Sequence, residues 1–113
     1  MTVSTHVLDA SAGQPAAGVA VSLSVAVPSS GRSSGWVLVG SGETDGDGRH
    51  RFEPATEPGT YRLVFGTAAY FAEREVAAFY PEVTITFTVA DADAHFHVPL
   101  LLSPFAYSTY RGS

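Results

Sequence analysis

Apolar and polar residues alternate with a period of two along much of this chain. Residues 19–27 carry valine or leucine at every odd position, and residues 83–89 alternate branched or aromatic residues with threonine. A period of two places neighbouring side chains on opposite faces of a strand, so both segments are predicted to be half-buried β-strands. Shorter strands are predicted at residues 3–8, 36–41, 48–52, 61–65, 96–102 and 105–110.

Turn-forming residues separate these predicted strands. Gly, Pro, Asp and Ser are concentrated at residues 9–18, 28–35, 45–48 and 53–59. Residues 67–78 contain good helix formers instead, with Thr67 as a candidate N-cap and Pro81 as a stop. About eight strands and one short helix favour an all-β fold, a two-sheet sandwich. We expect one domain spanning residues 1–113, because the length suffices for one domain only.

The composition excludes several chemistries. The chain has no cysteine, so disulfides, thiolate nucleophiles and cysteine zinc sites are impossible. All six cationic residues are arginine, which excludes lysine Schiff bases. The formal net charge is −5 and no basic stripe is present, so nucleic acid is not an expected partner. No apolar run has membrane length and the N-terminus lacks signal-peptide features, so we expect a cytoplasmic protein without membrane contact.

Alternation also predicts where three histidines point. If Val7 faces the core, His6 and Leu8 face outward. In residues 95–102 the even positions are all apolar, so His95 and His97 project from the outer face together with Pro99 and Leu101. An outer face that combines histidine, proline and leucine is typical of an interface or a ligand surface.

The His-x-His spacing allows more than one interpretation. It fits two exposed polar residues, and it also fits part of a zinc site that would need a third ligand from elsewhere. His6 taken alone is typical of a structural or solvated residue. The Asp45-Gly46-Asp47-Gly48 string resembles part of a calcium loop but lacks the later ligands, so a tight turn before an exposed Arg49 is the simpler interpretation. We expect no bound metal and no cofactor.

The polar C-terminal residues follow directly on a leucine-rich segment that must be buried. They are Tyr110, Arg111, Gly112 and Ser113. A flexible tail would lack apolar neighbours, so we expect these residues to be docked against the domain. With His and Arg as the other candidates, the available chemistry is proton transfer, oxyanion stabilisation and hydrogen bonding.

Several segments, in order along nearly the whole chain, resemble the 5-hydroxyisourate hydrolases, transthyretin-like enzymes of urate breakdown. They are Ser-Thr-His-Val-Leu-Asp at residues 4–9, Gly-Arg at 48–49, Phe-Tyr-Pro-Glu-Val at 79–83, His-Val-Pro-Leu-Leu-Leu-Ser-Pro at 97–104 and Tyr-Arg-Gly-Ser at 110–113. The last of these is the most specific, because transthyretin lacks it. The positions matching His6, Arg49 and His97 carry other residues in transthyretin.

The resemblance implies a transthyretin-like sandwich of eight strands with one helix, assembled as a homotetramer, a dimer of dimers. It implies His6, Arg49 and His97 as catalytic residues, in a groove between paired dimers. The segment formed by Tyr110, Arg111, Gly112 and Ser113 would shape the substrate pocket.

The implied reaction is hydrolysis of 5-hydroxyisourate, a small purine-derived molecule, to 2-oxo-4-hydroxy-4-carboxy-5-ureidoimidazoline. One histidine would activate water and the other would orient it or protonate the leaving nitrogen, while Arg49 holds the anionic ring or the oxyanion. The sequence leaves open which histidine is the base. It also leaves two alternatives: a non-catalytic tetramer that binds a small aromatic ligand, and a structural sandwich with histidines at an interface.

Overall fold

Two packed β-sheets and one helix make up the protein in the computed structural model, which describes residues 2–29, 32–53 and 57–113. The predicted two-sheet sandwich with one short helix is confirmed. Within the described residues there are nine strands, because a two-residue strand at Gln14–Pro15 adds to the predicted set. In this part of the chain, no helix combines the length and the apolar character needed to cross a membrane.

The sheet that carries the histidines, called here the site sheet, is built around β1 (Thr2–Asp9). One edge of β1 pairs in parallel with β8 (His95–Leu102), which in turn pairs with β9 (Tyr107–Thr109). The other edge is shared by β5 (Arg49–Phe52) and β2 (Gln14–Pro15). β1 and β8 therefore lie side by side at the centre, although their paired residues are 93 positions apart in sequence.

The second sheet is antiparallel, with β4 (Arg32–Glu43) beside β3 (Ala20–Ser29), then β6 (Gly59–Phe65) and β7 (Val83–Val89). A turn was predicted at residues 28–35, but β3 continues to Ser29 and β4 begins at Arg32. Residues 30 and 31 lie outside the described part of the chain. The predicted turn at residues 53–59 includes residues 54–56, which also lie outside the described part of the chain. An irregularity in register between Leu23 and Ser24 interrupts the alternation, so Ser24 is buried and Val27 is exposed.

The core lies between the sheets and consists of the apolar residues that alternation assigns to the inner faces. The largest fully buried members are Val3, Val7, Val19, Leu23, Leu63, Phe65, Phe71, Val83, Val89, Leu100 and Leu102. Burying such a side chain contributes about 1.5–3 kcal/mol, and this core holds the two sheets together in a chain without disulfides. It also fixes the opposite face of β1 and β8 as the outer one.

The helix α1 (Thr67–Glu73) is shorter than predicted and is capped differently. Gly66, not Thr67, occupies the N-cap, and Thr67 is a buried helical residue. The helix ends early because Glu75 adopts a left-handed backbone with φ of 57°. The N–H groups of Glu75 and Val76 then bond to the carbonyls of Ala72 and Phe71, which satisfies the last turn.

A buried carboxylate attaches this helix to the site sheet. Asp9 Oδ2 accepts a 2.7 Å hydrogen bond from the Tyr70 hydroxyl, and Oδ1 accepts bonds from Ser11 and from the Ala12 N–H. Burial raises the pKa of Asp9, but these hydrogen bonds outweigh burial and leave the pKa below its usual value. Burial and the Asp9 carboxylate raise the pKa of Tyr70 to about 12, so its hydroxyl remains a donor.

Replacement of Tyr70 by phenylalanine is expected to lower the free energy of unfolding by about 1–3 kcal/mol at pH 7. The change leaves Asp9 buried without one donor but keeps the ring beneath the Arg74 guanidinium, 3.7 Å away. Because the folded pKa of Asp9 is depressed, its contribution is fully present above about pH 3.9 and is lost as the pH falls through the folded pKa. Urea unfolding at several pH values measures this, and an equal loss at all pH values would contradict the assignment.

Candidate active site

Side chains from three strands meet on the outer face of the site sheet. Strand register pairs His6 with Arg49 on one side and with Pro99 on the other, and it pairs Ser4 with His97. The burial pattern of β1 alternates strictly, so the prediction that His6 faces outward is confirmed. His97 also faces outward, while Phe96 and Val98 on either side of it are buried. The three residues predicted to be catalytic thus lie on adjacent strands of one face.

A tight acidic turn positions Arg49. Asp45 Oδ1 accepts hydrogen bonds from the N–H groups of Asp47 at 2.9 Å and Arg49 at 3.0 Å. Gly48 has a φ of 78°, and a Cβ atom there would overlap the Val7 carbonyl oxygen. The turn needs glycine at this point because only glycine combines the left-handed backbone with so close an approach. The string that resembled a calcium loop therefore sets the start of β5.

The same turn supplies an acidic group beside the basic residues. The hydrogen bond from the Arg49 N–H lowers the pKa of Asp45, and the charges of Arg49 and His6 lower it further, against a smaller opposing effect of desolvation. Asp45 therefore remains ionised at neutral pH. Sequence reasoning assigned it only to the turn, although its position four residues before Arg49 brings it to the same edge.

His97 is held on two sides. Its Nδ1 atom lies 2.8 Å from the Ser4 hydroxyl oxygen. A Cβ atom built on Gly112 would lie only 2.5 Å from His97 Cδ2, so the backbone of Gly112 packs directly against the ring. With Nδ1 on Ser4 and Cδ2 against Gly112, the ring tip that carries Nε2 is the part left for the cleft.

The surroundings of His97 favour its neutral form. Burial lowers the pKa of the imidazole, and repulsion by His95, Arg49 and His6 lowers it further, against a smaller opposing effect of a hydrogen bond to the Ser4 backbone. A neutral imidazole at physiological pH has one unprotonated nitrogen and can accept a proton from water. His97 is therefore suited to act as a base.

Arg49 and His97, but not His6, border a cleft of about 270 Å³. It is lined by Ser4, Thr5, Asp45, Arg49, His50, Arg51, His95 and His97. Sequence reasoning did not name Ser4 as a site residue, although it lies two residues before His6 and alternation puts it on the same face. Arg51 also lines the cleft, because it lies two residues beyond Arg49 on β5 and therefore on the same face. Its Nε atom forms an ion pair with the exposed Glu53 carboxylate at 3.1 Å.

The C-terminal segment is docked, as expected, but its side chains divide between two faces. β9 pairs with β8 from Leu102 to Leu100, and His97 pairs with Gly112 in the same register. The ladder is interrupted at Pro99, which has no N–H to donate. Pro99, predicted to project outward, is buried, and Gly112 lies over its ring.

Alternation along this segment separates Arg111 from the histidines. Since Gly112 lies opposite His97 on the outer face, Arg111 lies opposite the inward-facing Val98. Its guanidinium stacks over the Phe96 ring at 4.7 Å, beside an apolar cavity of about 240 Å³ between the sheets. Tyr110 and Ser113 are exposed. Of the four predicted pocket residues, the structure brings Gly112 against His97, and it directs Arg111 elsewhere.

Within the described ranges, no three histidine, aspartate or glutamate side chains lie close enough together to hold a metal ion. The cleft presents a neutral imidazole, a guanidinium with the Asp45 carboxylate nearby, and hydroxyl groups, and the imidazole of His6 lies beside it on the same face. That set can transfer a proton and stabilise an anion at the same place.

The fold and the cleft define a small β-sandwich protein equipped for proton transfer beside an anion-binding guanidinium. The chain belongs to the HIUase/Transthyretin family, which matches residues 3–112. It is 42% identical over 114 residues to the 5-hydroxyisourate hydrolase of Salmonella dublin, covering 98% of this chain and 80% of that relative.

Two solved structures have nearly the same backbone as this chain. The 5-hydroxyisourate hydrolase of Klebsiella pneumoniae matches with a TM-score of 0.83 and 38% identity over 100% of both chains. Transthyretin from Sparus aurata matches with a TM-score of 0.85 and 31% identity, covering 97% of this chain and 95% of that one. The backbone alone does not separate the two kinds of protein, so the side chains of the cleft must do so.

Proposed function

We propose that this chain hydrolyses 5-hydroxyisourate in urate degradation. The observation that supports this most directly is the meeting of His6, Arg49 and His97 on one face of a chain 42% identical to a curated hydrolase of that substrate. A protein that only binds a small aromatic molecule has no need for a neutral base, a second imidazole and a guanidinium together.

In the proposed reaction His97 acts as the general base. Its Nε2 removes a proton from water as the water oxygen attacks the ring carbonyl carbon, and the carbon–nitrogen bond of the cyclic amide then breaks. Arg49 stabilises the negative charge that develops on the carbonyl oxygen. The leaving nitrogen receives a proton from His6 or from the protonated His97. No cofactor takes part, because water and proton transfers balance the reaction.

We also assign Gly112, which packs against the His97 ring, to the site. Its backbone closes one side of the His97 ring, and Ser113 follows it directly. Tyr110, Gly112 and Ser113 remain the proposed substrate-binding residues, whereas Arg111 lies over Phe96 and away from His97.

We further propose that the active form is a homotetramer in the cytoplasm. The face that carries the cleft also carries Leu8 and Leu101. Large aromatic residues are also exposed in the single chain, including Phe79 at 70%, whose N–H bonds to the Pro104 carbonyl just beyond β8, and Phe105 at 67%. Exposed apolar groups in such numbers are typical of a surface that a partner covers, and closed symmetry is the usual outcome for identical chains.

Decay of freshly generated 5-hydroxyisourate tests the proposal. The ultraviolet absorbance is expected to fall faster with the protein than in buffer, equally with and without a chelator, while light scattering on the same sample reports four chains. The His97→Asn variant, which lacks the proposed base, is the control. Decay at the buffer rate would contradict the enzyme assignment and would favour the alternative of a non-catalytic transthyretin-like binder. An active monomer would contradict the tetramer.

A further inference from the structure

Two hydroxyl groups and two imidazoles form a continuous hydrogen-bonded chain across β1 and β8. The Ser4 hydroxyl oxygen lies 2.8 Å from His97 Nδ1 and 3.2 Å from His95 Nε2. The Thr2 hydroxyl bonds to the other nitrogen of His95, Nδ1. The parallel register produces this arrangement, because it pairs Thr2 with His95 and Ser4 with His97.

We propose that Ser4 is a positioning residue that holds neutral His97 in the tautomer with the proton on Nδ1, and that His95 acts on His97 only through Ser4. Nε2 of His97 then presents a lone pair to the cleft. The effect on turnover rests on the proposed hydrolase function, whereas the tautomer is a property of the chain itself.

The proton count is satisfied in this direction. A neutral imidazole has one N–H and one bare nitrogen, and a hydroxyl has one proton with two lone pairs. If His97 Nδ1–H donates to Ser4, the Ser4 proton is free to be donated to His95 Nε2. His95 then carries its proton on Nδ1 and donates it to Thr2. Every hydrogen bond of this network is then made with one proton each. The reverse direction, in which Thr2 donates to His95 and Ser4 donates to His97, uses the same number of protons, so the charges around His97 must decide between the two.

Ionisable groups surround His97 from each neighbouring element. They are His6 on β1, Asp45 in the turn before β5, Arg49, His50 and Arg51 on β5, and His95 on β8. The opposite tautomer would direct an N–H dipole from Nε2 into a cleft that already contains two guanidinium groups. A lone pair directed there is attracted by those cations, which outnumber the Asp45 carboxylate among the lining residues, so the field of the cleft favours the tautomer in which Nδ1 carries the proton.

Removal of the Ser4 hydroxyl is expected to affect turnover more than binding. Ser4→Ala should lower kcat by about tenfold to a hundredfold, because a base in the wrong tautomer cannot accept the proton. KM should change by less than about threefold, since Ser4 acts through His97 and not on the substrate. Ser4→Thr keeps the hydroxyl and suits a strand, so it should retain kcat within about threefold. All three proteins should have the same melting temperature.

His95 provides a second, independent measurement. His95→Ala should lower kcat by a smaller factor than Ser4→Ala, because Ser4 can still accept the proton of His97. The double variant should be no slower than Ser4→Ala, within about twofold, because both changes interrupt one chain. Losses that multiply would overturn the idea that His95 acts through Ser4. Full activity in Ser4→Ala, or equal losses in Ser4→Ala and Ser4→Thr, would overturn the role of Ser4.

Nitrogen-15 NMR of the histidine rings decides the tautomer without any substrate. The His97 signals, assigned by their loss in His97→Gln, should show a protonated Nδ1 and a bare Nε2 in the parent protein, and a mixture in Ser4→Ala. A protonated Nε2 in the parent protein would overturn the proposal. If the parent protein failed to accelerate decay of 5-hydroxyisourate, the proposed function would fail, while the NMR result would still decide this inference.

Discussion

Replacement of His97 by asparagine is expected to lower kcat on 5-hydroxyisourate by at least about a hundredfold, with the fold and the assembly unchanged. His97 is the neutral imidazole of the cleft, with Nδ1 held by Ser4 and Cδ2 against Gly112, and asparagine cannot accept a proton from water. Arg49→Ala and His6→Asn are expected to cost a similar factor, because the guanidinium and the second imidazole serve the same transition state. Initial decay rates at saturating substrate measure these losses.

Two matched variants serve as controls for these three. His95 shares the outer face with His97 but is more exposed, so His95→Ala should lose less. Arg51 also lines the cleft, but its guanidinium is paired with Glu53 and 60% of its side chain is exposed. Arg51→Ala should therefore stay within about tenfold of the parent protein. Equal losses for His95 and His97 would favour a general interface role for both.

The pH dependence of activity tests the role of His97 as a base, because a purely structural residue would not set the pH at which activity declines. The pKa of His97 lies below its usual value, chiefly because of burial, with His95, Arg49 and His6 lowering it further. The base is unprotonated above that pKa, so activity should persist as the pH falls below about 6.5 and should decline only at the lowered pKa. Removing the Arg49 cation raises the pKa of His97, so the residual activity of Arg49→Ala should decline at a higher pH. A shift in the opposite direction would contradict the assignment of His97 as the base.

Replacement of Gly112 by alanine is expected to produce the second large loss of activity. The new methyl group would lie 2.5 Å from His97 Cδ2 and 3.3 Å from Pro99 Cγ, so the ring or the C-terminal segment must move. A displacement of about 1 Å at a catalytic base can cost about a hundredfold in rate. The core strands lie upstream, so the melting temperature should fall little. Decay rates and thermal unfolding of the same sample measure the two effects separately.

Gly59→Ala is the matched control, because a Cβ atom there meets nothing within 4 Å. It should keep full activity. Deletion of residues 110–113 removes the same contact without adding bulk, and it should also remove most activity while the sandwich remains folded. Full activity in both Gly112→Ala and the deletion would mean that the docked segment does not contribute to the site.

The sequence by itself determined the faces of the strands. In β1 and β8 a period of two was enough to place His6 and His97 on the outer face, because side-chain direction in a strand depends only on local geometry. Asp45, Gly46, Asp47 and Gly48 likewise predicted a tight turn from their own conformational preferences. The segments at residues 4–9, 97–104 and 110–113 were sufficient to indicate the family.

Local preference failed where distant contacts compete with it. The helix was predicted to continue to residue 78, but it ends at Glu73, because Glu75 takes a left-handed backbone that closes the last turn. The two-residue strand at Gln14–Pro15 lies in a segment predicted as turn, and it exists only because β1 offers a free edge there. A window of a few residues contains no information about that edge.

Only the tertiary structure decided which residues touch. The contact between Ser4 and His97 joins positions 93 residues apart, and it depends on the parallel register of β1 and β8. The register of β9 on β8 likewise puts Gly112 against His97 and directs Arg111 to Phe96. Alternation assigns each side chain to a face, but a shift of register by one residue would change every neighbour. Register is set by burial of the whole core, which no single segment encodes.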